Sequence, residues 1–103
     1  MTESSSHQRA KSRAAGSAGE TEVPLPGNRR LDALTPSGRA TEVERTGTAQ
    51  GLEAAARRLR DAEARQHVLQ VPQKDMDAAA EAMRKIGVSG TVKNMSGTKR
   101  RPV

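Results

Sequence analysis

The chain contains no Phe, Tyr, Trp or Cys, and this constrains what it can fold into more than any other feature. A core without rings must be assembled from Leu, Val, Ile, Met and Ala, whose smaller side chains each remove less apolar area from water. Hydrophobic residues make up 33% of the 103 residues, so stability is marginal, and a second copy in a homodimer or a bound ligand would add what the core lacks. Without cysteine there is no disulfide framework and no thiolate metal site. His7 and His67 are too far apart in sequence to suggest a zinc motif.

The pattern along the chain supplies the elements. Residues 1–19 are Ser, Ala, Gly, Lys and Arg with hardly a large apolar group, which reads as a disordered basic tail because ordering it buries too little to offset the entropy. A frayed helix over Gln8 to Ala15, ended by Gly16 and Gly19, is the alternative reading. ETEVPL (20–25) alternates as an edge strand that carries Pro24. RRLDAL (29–34) and RATEVERT (39–46) flank Thr35-Pro36-Ser37-Gly38, with Pro placed to start a turn and Gly shortly after, so they form a hairpin.

After Gly47 the apolar period changes from two to 3.6. Leu52, Ala55, Ala56, Leu59 and Ala62 share one face of a helix over about 49–64, with Thr48 as N-cap. HVLQVP (67–72) is a buried strand stopped by Pro72. A second helix over about 74–86 turns Met76, Ala79, Ala80, Met83 and Ile86 inward and ends at Gly87. TVKNM (91–95) is the last strand. The fold class is therefore α/β, a two- or three-layer sandwich with a mixed sheet in which helices link parallel strands. The folded domain spans 20–95, and 96–103 (SGTKRRPV) is an exposed basic tail.

Eighteen Lys+Arg against twelve Asp+Glu give a net charge of +6 and a sequence pI near 10.8, a balance that suits a polyanion such as nucleic acid. With no aromatic side chain, bases have nothing to stack on, so phosphate contacts must carry any nucleic-acid affinity. The start, MTESSSHQRAKSR, has no apolar run that would serve as a signal-peptide core, and no stretch approaches a membrane span. A cytoplasmic protein without membrane contact is expected.

The candidate site lies on the hairpin. A turn centred on Ser37 sets Asp32 opposite Glu42 and Arg30 opposite Glu44, while Glu42 and Glu44 are two residues apart on one strand face. Three carboxylates are thus expected on one face. Opposed like charges destabilise a sheet, so solvent, basic neighbours or a cation must offset them. Mg²⁺ or Mn²⁺, held by one or two carboxylates with waters and substrate phosphate completing its shell, suits such a cluster. The plainer alternative is a solvated hairpin face on which Arg30 pairs with Glu44 and Arg39 or Arg45 screens the rest.

GNRRLDALTPSGRATEVER resembles the core of the PD-(D/E)xK, or restriction-endonuclease-like, nuclease superfamily: an Asp in one hairpin strand, then an acidic residue, a spacer and a further catalytic position in the next. The likeness covers residues 20–72. It implies metal-dependent phosphodiester hydrolysis in DNA or RNA, with Asp32, Glu42 and Glu44 catalytic and with Asp32, Glu42 and the Val43 carbonyl as metal ligands. Glu20 or Glu22 would be the extra acid of some members. Glu44 stands where the pattern has Lys, so a non-catalytic nucleic-acid-binding module, either a degenerate nuclease or an unrelated βαβαβ binder, is the competing expectation. Arg30, Arg45, Arg57, Lys93, Lys99, Arg100 and Arg101 are the candidate phosphate contacts.

Overall fold

The computed structural model describes residues 5–103. Its elements are α1 (Ser5–Ala15), β1 (Glu20–Leu25), β2 (Arg29–Leu34), β3 (Arg39–Val43), α2 (Ala49–Asp61), β4 (Gln66–Gln70), α3 (Met76–Ile86, entered through a 3-10 turn at Gln73–Asp75), β5 (Thr91–Lys93) and β6 (Arg100–Pro102). The strands form one mixed sheet in chain order. β1, β2 and β3 are an antiparallel meander; β4 and β5 run parallel to β3, each reached through a helix; β6 returns antiparallel.

The local signals fold as the residues dictate. Thr48 Oγ1 accepts from the Gly51 amide at 3.1 Å and caps α2, and Gly87 ends α3 in the left-handed conformation at φ 86°. The hairpin turn closes through Gly38 N–H to the Thr35 carbonyl, with Gly38 at φ 93° where a side chain would be strained. Ala33 pairs with Thr41 and Leu34 with Ala40, the register that a turn centred on Ser37 imposes.

One face of the sheet carries the main core. Leu52, Ala55, Ala56 and Leu59 of α2 and Ala79, Ala80 and Met83 of α3 pack on Leu31, Ala40, Leu69 and Val92. Alanine at so many contact positions lets the helices approach the sheet and each other closely, which is how a ring-free core reaches normal packing density.

Two expectations are corrected. Residues 5–15 of the expected disordered tail form α1, which lies on the opposite face across β1, β2 and β3; residues 1–4 lie outside the described region. Ala10, Ala15 and the stem of Lys11 are buried there, so the helix docks on small side chains and charge. Gly19 makes the docking possible, because a Cβ at that position would meet the Ala15 carbonyl oxygen at 1.9 Å. The C-terminal segment is likewise no free tail: Arg100–Pro102 pairs with β5, since that strand's outer edge offers unpaired amides and carbonyls. The sheet thus has helices on both faces over its first strands and on one face over its last.

Candidate functional site

The ladders bring three acids to one level. Thr21 pairs with Ala33 and Val23 with Leu31, which sets Glu22 opposite Asp32; Ala33 with Thr41 sets Asp32 opposite Glu42. Neither rung at this level is made. Glu22 has a φ of 54°, a left-handed conformation that costs a residue with a side chain about 1–3 kcal/mol. Leu31 belongs to the main core and Leu34 packs against it. Residues three apart cannot share a face under strict alternation, so the alternation of β2 reverses between them, at Asp32.

Side chains fill the gap that the broken rungs leave. The Asp32 amide donates to Glu42 Oε2 at 2.7 Å, and the Val43 amide donates to Asp32 Oδ2 at 2.7 Å. Cations close in from both layers. From α1, Lys11 pairs with Glu22 and lies 4.0 Å from Asp32 Oδ1, while His7 Nε2 is 3.6 Å from Asp32 Oδ2. From α2, Arg58 Nε donates to Glu42 Oε1. The Glu42 side chain is 0% exposed and that of Asp32 15%. Burial pushes the Asp32 carboxyl up, against the pull of the Val43 amide, His7, Lys11 and Arg58. Burial and then the Asp32 charge push Glu42 up to about 8, with Arg58 opposing.

Asp32 and Glu42 come together at the level that the turn sets, but their carboxylates do not share the expected face. That of Asp32 lies by Lys11 and His7 of α1, that of Glu42 pairs with Arg58 of α2, and no shared group is completed by Glu44. It turns to its own loop, where it accepts from the Thr46 amide at 3.1 Å and the Thr46 hydroxyl at 3.0 Å. Nor does it pair with Arg30, which is exposed on β2. Val43 takes part through its amide rather than its carbonyl. Lys11 and Arg58 were missed because pairing across layers leaves no local pattern.

The residues present do not fit a resident Mg²⁺ or Mn²⁺ in this arrangement. Both Glu42 oxygens and one Asp32 oxygen are engaged, and a hydrated ion needs open oxygens and solvent. Among the described residues no three His, Asp or Glu side chains are grouped to hold a metal ion.

The expected phosphate contacts separate. Arg57 lies 3.7 Å from Glu53 on its own helix, and Arg101 pairs with Asp77 of α3. Arg45 and Lys99 are exposed in loops. Lys93 and Arg100 are directly opposed between β5 and β6. They share a face with Arg39, since Val43, four residues along β3 and on the same face, pairs with Gln70, and Gln70 pairs with Lys93. Arg39, Arg65, Lys93 and Arg100 line a cleft of about 410 Å³ that, among the described residues, no acidic side chain lines. Arg13, in the last turn of α1, completes the group: burial, then the charges of Arg100, Arg39 and Arg13, hold the Lys93 ammonium below its usual range.

Comparison with protein-family models, with curated proteins and with solved structures gives no match. Among the described residues no helix is long and apolar enough to cross a membrane.

Proposed function

We propose that this chain is a nucleic-acid-binding domain that holds phosphates at the cleft lined by Arg39, Lys93 and Arg100, and that its nuclease-like hairpin is closed in the form described. The observation that carries this reading is the gathering of Arg39, Arg65, Lys93 and Arg100 around one cleft that, among the described residues, no acidic side chain lines. Like charges repel, so the field there favours a polyanion.

A second reading, phosphodiester hydrolysis, is favoured by the row of Glu22, Asp32 and Glu42. The restriction-endonuclease-like resemblance of the hairpin sequence supports it as well, and Lys11 brings from α1 a cation that the motif lacks at Glu44. Against it stand the burial of Glu42 and the occupied carboxylate oxygens.

Fluorescence anisotropy across salt concentrations, alongside a cleavage panel with Mg²⁺ or Mn²⁺, tests both. Binding should weaken steeply with salt, and a combined Arg39→Ala, Lys93→Ala, Arg100→Ala variant should flatten the log–log slope by about 2–3, one phosphate contact per cation. Salt-insensitive binding, or none, would refute the proposal. Metal-dependent cleavage abolished by Asp32→Asn would establish the second reading instead.

A further inference from the structure

We infer that the ligand of the basic cleft is double-stranded nucleic acid, gripped by one sugar–phosphate ridge and held without reading its sequence. This rests on the binding function proposed above and specifies its ligand.

The first argument is what the face lacks. A single strand exposes its bases, and proteins that hold one commonly stack them on aromatic rings, each base contributing roughly a 5- to 150-fold gain in affinity. This chain has no Phe, Tyr or Trp. A duplex keeps its bases stacked on one another and presents phosphate at about one charge per 1.7 Å of axis. A face that offers cations and no ring to stack on therefore captures more of a duplex than of a single strand.

The second argument is shape. α1 lies over β1, β2 and β3, Arg13 in its last turn lies with Gln70 and Lys93 around a small pocket, and beyond it Gln66, Lys93 and Arg100 are at least partly exposed. β3 and β6 are three strand spacings apart, about 14 Å, and the cations on them converge on the cleft between. That breadth seats a backbone ridge and its flanking grooves.

The third argument is which polar groups are already used. Glutamine side chains read adenine edges when both ends of the amide are available. Gln70 Nε2 donates to the carbonyls of Asn94 and Met95 at 3.3 and 3.0 Å, and Gln66 Oε1 accepts from Arg39 Nε at 3.3 Å. Each glutamine of the face has one end of its amide tied to the protein, so neither offers the two-ended contact that reads adenine, and the cations are left to hold phosphate.

The full-length chain would be titrated, at one salt concentration, into labelled 20-base-pair duplexes of two unrelated sequences, each of their separated strands, and a heparin fragment. The duplexes should bind at least about tenfold tighter than the single strands and within about twofold of each other, and the Arg39→Ala, Lys93→Ala, Arg100→Ala variant should lose that advantage. Circular dichroism would verify that the variant is folded, as expected for side chains that are at least partly exposed. Single strands binding as well as duplex, or one duplex sequence preferred tenfold, would overturn the inference while leaving nucleic-acid binding intact. Binding to heparin alone, or to nothing, would overturn both.

Discussion

Glu42→Gln tests the closed carboxylate pair most directly. Glu42 is buried, its carboxyl pushed from 4.5 to about 8 by burial and by Asp32. An acid whose pKa is raised on folding contributes stability that is full below the unfolded value and lost as pH rises through the folded one. Between pH 5 and 8 the native chain thus holds up to one proton more than the unfolded chain. Stability should fall by as much as about 1.4 kcal/mol per pH unit, or about 4 kcal/mol over the interval. For a domain of this size that is a drop in Tm on the order of 15 °C or more. Asp32, also raised, acts in the same direction.

Glutamine reproduces the shape of the protonated acid, but its single amide oxygen can accept from the Asp32 amide or from Arg58 Nε and not from both. The variant should therefore be somewhat less stable than wild type at pH 5, lose most of the slope, and close or reverse that gap by pH 8. Thermal unfolding followed by circular dichroism at half-unit pH steps reads this out. A wild-type Tm that is flat from pH 5 to 8, or a variant that loses equal stability at both ends, would show that Glu42 is charged throughout and that its pairing with Arg58 outweighs burial.

Two further outcomes concern α1. Removing residues 1–15 should lower the Tm by at least about 8 °C, since it exposes the face of Ala33, Thr41 and Val43 and strips Lys11 and His7 from Asp32; an unchanged midpoint in differential scanning calorimetry would mean the helix contributes nothing to the fold. Lys11→Met keeps the buried stem but leaves Glu22 and Asp32 without their cation, so it should cost about 3 kcal/mol at pH 7 in urea unfolding and less at pH 4, where the acids protonate. A cost independent of pH would assign the role of Lys11 to packing alone.

What the sequence determined by itself is what depends on neighbours along the chain. Pro36 and Gly38 set the turn and thereby the pairing of Ala33 with Thr41. Thr48 and Gly87 mark helix ends because capping uses amides and carbonyls within one turn. The switch of apolar period at Gly47 separates strands from helix, and the meeting of Asp32 with Glu42 follows from the same turn.

The tertiary structure decided the rest, because it depends on contacts between distant segments. Ser5–Ala15 has too little apolar surface to announce a packed helix; Gly19, Ala10, Ala15 and the ion pairs of Lys11 hold it only once the hairpin exists. Arg100–Pro102 becomes a strand because β5 has a free edge. The reversal at Asp32 and the strained Glu22 arise where three carboxylates compete for one level of the sheet, and that turns Glu44 out of the group that its spacing suggested. Arg39, Lys93 and Arg100 are far apart in the chain, and only the parallel register of β3, β4 and β5 with the antiparallel return of β6 carries their charges to one face.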